Sequence, residues 1–136
     1  MNTLYSPSAI QDLILSDDNT GLSVVWLYGS QATGTATSTS DIDIAVAFAQ
    51  PLPDTLENYL RPERLAMQWR STLQLQDNQL SIVDINRAPV PLAYNIITQG
   101  RVIYCRSDLR LRTEEQRIWS LWEHYKYEHE HNRQAL

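Results

Sequence analysis

LSVVWLYGSQATGTATSTSDIDIAVAF, residues 22–48, places two apolar segments on either side of a small polar one. The first, Leu22 to Tyr28, is dominated by β-favouring residues and closes at Gly29, which reads as a buried strand. The ten residues QATGTATSTS that follow Ser30 are too small and too polar for a core and read as a loop. DIDIAVAF then reads as a second strand. Because side chains alternate across a strand, Asp41 and Asp43 are expected to emerge on one face, about 7 Å apart along the backbone.

Two carboxylates at that spacing, beside a glycine bend, suit phosphoryl and nucleotidyl transfer. Paired Mg²⁺ ions about 3.5–4 Å apart need oxygen ligands that bridge them while attacking and leaving oxygens stay in line. Carboxylates on a rigid strand supply such ligands. A glycine at a strand end lets backbone approach a phosphate chain, and Ser30 adds a hydroxyl and backbone N–H groups as donors.

A third carboxylate is suggested farther along. Leu80-Ser81-Ile82-Val83-Asp84-Ile85 is a short β-branched run, so a third strand is expected with Asp84 near its end. If that strand lies beside DIDIAVAF, Asp84 would ligate a metal and help deprotonate an acceptor hydroxyl. Equally, Asp84 would cap a turn before Asn86.

With these segments together, the chain resembles the polymerase-β-type nucleotidyltransferases, and more narrowly the minimal nucleotidyltransferase (MNT, MntA-like) antitoxins that stand beside HEPN toxins. The resemblance rests on YGSQATGTATSTSDIDIAVAF, SIVDIN and PLAYNIITQGRVIYC. It implies an α/β fold in one domain over residues 1–136, a small mixed sheet flanked by helices with a C-terminal helix. Asp41, Asp43 and Asp84 are implied as catalytic and metal-ligating carboxylates for two Mg²⁺ ions, with Gly29, Ser30 and Ser40 at the nucleotide. Members of the family often carry arginines where this chain has Gln31 and Thr33, although Gly34 is kept. The triphosphate would then be held by Mg²⁺, backbone and hydroxyls, including Thr35, Thr37, Ser38 and Ser40, or by basic side chains from elsewhere.

The implied activity is transfer of AMP from ATP to a tyrosine hydroxyl of a cognate HEPN RNase toxin, neutralising it and releasing pyrophosphate. Two other functions compete: an antitoxin that neutralises by binding alone, and a nucleotidyltransferase acting on a small hydroxylated compound such as an aminoglycoside. Larger enzymes of the latter kind bring an additional domain.

Composition bounds these options. At 136 residues with 43% apolar and 20% charged content, the chain fits one globular domain with a real core. No basic leader followed by an apolar stretch opens it, and no run approaches the ~18 apolar residues of a membrane helix, so a cytoplasmic location is expected. A net charge of −5 and a pI near 5.0 disfavour direct nucleic-acid binding. Ten of the eleven cations are arginine, which suits bidentate pairing with carboxylates or phosphates at a protein interface. The single Cys105, in the run RVIYC, is expected in the core.

The remaining elements follow an α/β order. Ser6-Pro7 reads as a capped helix start with Ile10, Leu13 and Ile14 on one face, and DDNTG ends it. Pro51 to Asp54 form a turn, and a helical region over about 55–76 is expected to divide at Pro62. Asp77-Asn78-Gln79 turns into the third strand. Pro89-Val90-Pro91 leads a helix through Thr98, Gly100 stops it, and Val102 to Cys105 form a fourth strand. A final helix, about 113–131, carries Ile118, Leu121, Trp122 and Tyr125 as a core-facing stripe with Trp119 and Tyr127 at its sides. Its apolar surface is wider than one face requires, so it is also a candidate partner interface. His124, His129 and His131 have poor spacing for zinc and read as a solvated end.

Overall fold

The computed structural model describes residues 7–16, 21–34 and 41–135. Its elements in chain order are α1 (Pro7–Ser16), β1 (Leu22–Tyr28), α2 (Ser30–Thr33), β2 (Ile42–Phe48), α3 (Thr55–Leu73), β3 (Leu80–Asp84), α4 (Val90–Gln99), β4 (Arg101–Cys105) and α5 (Asp108–Ala135). The strands form one mixed sheet in the order β3-β2-β1-β4. β1 is antiparallel to both neighbours, whereas β2 and β3 are parallel, with α3 as the crossover that a parallel pair requires. This is the α/β architecture expected from the sequence, C-terminal helix included.

Alternation along the central strands divides the core. Ile42, Ile44, Val46 and Phe48 of β2, with Val25 and Leu27 of β1, face α1 and α3, where they meet Ile10, Ile14, Leu65, Trp69 and Leu73. Ala45 and Ala47, with Val24 and Trp26, face α4 and α5, where they meet Ala93, Ile96 and Ile118. Small alanines on this second face leave room for Trp26, and Ala45 and Ala47 are completely buried. Asp43 lies on this same side of β2 by alternation.

Three expectations about these elements are corrected. Residues 31–33 are not loop but part of one helical turn, α2, begun at Ser30 by bonds from the Ala32 and Thr33 N–H groups to the Gly29 carbonyl. Pro62 does not divide α3. Pro62 is buried, and the neighbouring Arg61 is anchored by a 2.8 Å bond to the Gln50 carbonyl and by stacking 4.0 Å over Phe48. Packing thus offsets the one backbone bond that proline removes. The same helix is capped at its start by Asp54, whose carboxylate accepts from the Glu57 N–H at 2.9 Å, and ends where Gln74 turns left-handed. Cys105 is exposed rather than core, because β4 is an edge strand on which Ile103 is the residue that packs inward. The Ser6 cap and the 17–20 end expected for α1 lie outside the described residues.

The final helix starts at Asp108, five residues before the expected Thr113, because the Ser107 hydroxyl accepts the Arg110 N–H at 3.1 Å. Its inward face is also rotated from the expected stripe. Ile118 is fully buried, but Leu121 is 40% exposed and the charged Glu114 is only 3% exposed. Glu114 is held by Asn86, Arg110 and Arg117, the two arginines at 2.9 and 2.8 Å, while those arginines also donate to the Phe48 and Ile85 carbonyls. Burial would raise the Glu114 pKa, yet the bonds from Asn86, Arg110 and Arg117 outweigh it and hold the carboxyl below its ordinary 4.5. This knot ties α5 to the ends of β2 and β3.

Candidate active site

The antiparallel register sets Tyr28 across from Asp43, so the residue that leaves β1 next, Gly29, lies against the Asp43 carboxylate. A Cβ on Gly29 would stand 2.6 Å from Asp43 Oδ2. Gly29 has φ 72° and ψ −154°, a conformation that belongs almost wholly to glycine. Glycine is therefore needed here twice over, for the bend and for the carboxylate that fills the space beside it. Ser30 occupies the first position of α2, half-buried beside this contact. Gly34 closes α2 in the left-handed region, its N–H donating to the Ser30 carbonyl.

On the other side, β3 brings Ser81 level with Asp43 in parallel register, and the Ser81 hydroxyl donates to Asp43 Oδ1 at 2.9 Å. Asp41 stands exposed just ahead of β2, where the Ile42 N–H is fixed to the Gln79 carbonyl at 2.9 Å. Strand alternation carries Asp41 to the same side as Asp43. Gly29, Ser30, Asp41, Asp43 and Ser81 thus share one corner of the sheet. Burial, and secondarily the Asp43 charge, pushes the Tyr28 phenol up to about 12, keeping it protonated beside the carboxylate.

Asp84 is not in that corner. It pairs with Val46, three residues along from the Ser81–Asp43 level, which is about 10 Å of strand. An odd step along β3 also turns its side chain to the opposite face. Its Oδ1 accepts the Asn86 N–H at 2.9 Å, and the cation it influences is Arg61 of α3. Of the two sequence readings, the turn before Asn86 is the one the geometry carries. Ser40 lies outside the described residues, as do Thr35, Thr37 and Ser38.

Ser81 and Tyr28 were missed by sequence reasoning. Ser81 was legible in principle: in LSIVD, alternation separates Ser81 and Val83 from Ile82 and Asp84, but only the strand register selects which pair meets Asp43.

The family described as polymerase beta, nucleotidyltransferase matches residues 12–109, a span that includes this corner and the three strands that build it. The chain belongs to that family. A toxin–antitoxin crystal structure with AMP-PNP aligns with this nucleotidyltransferase over 96% of its chain and 94% of the other, at 27% identity and a TM-score of 0.72. A chain of the MntA–HepT toxin–antitoxin crystal structure aligns over 95% and 91%, at 25% identity and a TM-score of 0.65. A complex of tri-AMPylated Shewanella oneidensis HEPN toxin with MNT antitoxin aligns over 96% and 94%, at 24% identity and a TM-score of 0.66, a likeness of fold alone. No curated protein matches.

The fold family implies divalent metal, and the donor set of the corner tests that. Two carboxylates on one side of a strand, open to solvent at Asp41, fit one Mg²⁺, which characteristically takes one or two carboxylates plus substrate phosphates and waters. Among the described residues no third His, Cys, Asp or Glu joins them. The expected pair of ions does not fit these residues.

Proposed function

We propose that this chain is the antitoxin of a toxin–antitoxin pair, and that it transfers AMP from ATP to a tyrosine hydroxyl of a HEPN-type toxin. The observation that carries the reading is the packing of Asp43 against Gly29 within a family of nucleotidyltransferases. It is supported by whole-chain likeness to toxin–antitoxin structures, one of them holding AMP-PNP.

In this reading Asp41 and Asp43 hold the Mg²⁺ that accompanies ATP. Held there, the ion would supply positive charge against the phosphates, while the residues of the corner set the α-phosphorus for in-line attack. Gly29, having no side chain, lets the triphosphate approach the β1–α2 turn, and Ser30 and Ser40 offer hydroxyls to it. Ser81 fixes the Asp43 carboxylate by holding Oδ1. The tyrosine oxygen forms a bond to the α-phosphorus, the bond to the bridging oxygen breaks, pyrophosphate leaves and the phenolic proton passes to water. Catalysis comes from positioning rather than from a covalent intermediate.

Residues 1–136 act as one nucleotidyltransferase domain, in the cytoplasm, where ATP and the toxin are both present, without direct contact to nucleic acid. The C-terminal helix forms part of the toxin interface. Trp119, Leu121 and Tyr127 are exposed on it, and Tyr94, Trp122 and Tyr125 form a stacked row with centroids 4.4 and 5.6 Å apart. Rigid aromatic surface of this kind anchors protein interfaces at low entropic cost.

Neutralisation by binding alone is a second reading, favoured by Gln31 and Thr33 in place of positive charge and by Ser81 in place of a third acid. Incubation of the purified protein with Mg²⁺, α-labelled ATP and the HEPN-type protein encoded beside it separates the two. Label on a toxin tyrosine that disappears with Asp43→Asn is the expected result. Inhibition of the toxin's RNase activity with no label on it overturns the transfer reading in favour of the second.

A further inference from the structure

We propose that the carboxylate corner accepts a single divalent cation with its nucleotide and is kept from holding a second by Ser81. The inference rests on the reading of this corner as a nucleotide site and concerns how many ions it takes there.

A two-ion site needs enough anionic oxygen to ligate both cations at once, since each Mg²⁺ demands near-octahedral oxygen coordination at about 2.0–2.1 Å. The position that would add such an oxygen is set by the sheet. β3 runs parallel to β2, and the residue it places level with Asp43 is Ser81. A serine hydroxyl is neutral and keeps its proton. Here it spends that proton on Asp43 Oδ1, so it adds no anionic oxygen and also takes up one lone-pair site of an oxygen that a second ion would use. The other Asp43 oxygen, Oδ2, faces Gly29. Asp84 cannot substitute, since it sits three positions along β3 and engages the Asn86 N–H. The remaining capacity, Asp41 and the free valences of Asp43, matches one ion that the nucleotide's own phosphates complete.

Exposure of Ser81 at the sheet corner makes the position replaceable without cutting into the core. Ser81→Asp would remove the donated hydrogen bond and add an acid level with Asp43, creating the missing ligand. Ser81→Asn has the same shape but no charge.

Equilibrium dialysis of the full chain against Mn²⁺ and α,β-methylene ATP, with both counted per chain, tests this. The expected result is one Mn²⁺ and one nucleotide for the wild type and for Ser81→Asn, and two Mn²⁺ per nucleotide for Ser81→Asp. Two Mn²⁺ per nucleotide in the wild type overturns the inference while leaving the nucleotide site intact. A folded Ser81→Asp variant that stays at one ion overturns the role given to Ser81, and if that variant does not fold, the wild-type count decides. A wild type that retains no nucleotide overturns the underlying reading of the corner.

Discussion

Gly29→Ala strikes the contact on which the corner is built, and its cost is set by two features. With φ 72° and ψ −154°, the backbone is in a region that costs a residue with a Cβ about 1–3 kcal/mol. The new methyl would also lie 2.6 Å from Asp43 Oδ2, which forces the carboxylate to rotate and give up its bond from Ser81. A hydrogen bond to a charged group is worth about 1.5–3 kcal/mol, and partial exposure of Asp43 places this one at the low end. The combined effect is about 3 kcal/mol, or roughly 10 °C in Tm for a domain of this size. Gly34→Ala is the control: it too has positive φ, 78°, but nothing lies within 4 Å of its Cβ, so it costs about 1 kcal/mol and leaves Asp43 in place. Urea denaturation followed by the fluorescence of the buried Trp26 and Trp69 measures both. Gly29→Ala should also weaken binding of Mg²⁺ with α,β-methylene ATP, and Gly34→Ala should not. Equal stability losses in the two variants, or unchanged nucleotide binding by Gly29→Ala, would refute the close fit of Gly29 and Asp43.

Glu114→Gln leaves Arg110 and Arg117 facing a neutral amide in a buried setting, and should cost about 3 kcal/mol at neutral pH by thermal or urea unfolding. Because the folded pKa of Glu114 lies below the unfolded 4.5, its contribution is complete above pH 4.5 and fades as pH falls through the folded value. The stability gap between wild type and Glu114→Gln should therefore narrow in acid; a gap independent of pH would contradict the charged knot. Replacing Trp119, Leu121 and Tyr127 together with serine should lower Tm by about 10 °C or less and leave the fold intact, most of the loss coming from Trp119, which is 44% exposed and packs edge-on against Tyr94. The same triple substitution should weaken toxin binding at least tenfold in a pull-down titration, and full-strength binding would remove α5 from the interface. Ile118→Ala, at the buried centre of α5, should cost about 2–5 kcal/mol in the same unfolding assay.

Much of the sheet was legible because its signals are local. β1 and β2 carry alternation or apolar runs bounded by Gly29 and by the polar segment before Asp41, and α4 is bracketed by Pro89 and Gly100. What escaped depends on partners distant in sequence. Pro62 stays helical because it is buried and the adjoining Arg61 is held by Phe48 and Gln50. Glu114 replaces Leu121 on the inward face of α5 because three partners from β3's end and α5 itself neutralise it. The candidate site divides along the same line. Gly29, Ser30, Asp41 and Asp43 are brought together by adjacent segments of one hairpin-like unit, and their proximity could be read from spacing. Whether Ser81 or Asp84 joins them is a matter of register between β2 and β3, and a shift of one residue there would exchange the two faces.

Calorimetric titration of Mg²⁺ with α,β-methylene ATP into wild type, Asp41→Asn, Asp43→Asn and Asp84→Asn tests the central claim most directly. Asparagine at 84 can still accept the Asn86 N–H, so that variant keeps its turn. The account predicts binding by wild type and Asp84→Asn alike, with at least a tenfold loss in Asp41→Asn and Asp43→Asn. Wild-type affinity in Asp43→Asn, or a loss in Asp84→Asn as large as in Asp43→Asn, would contradict it.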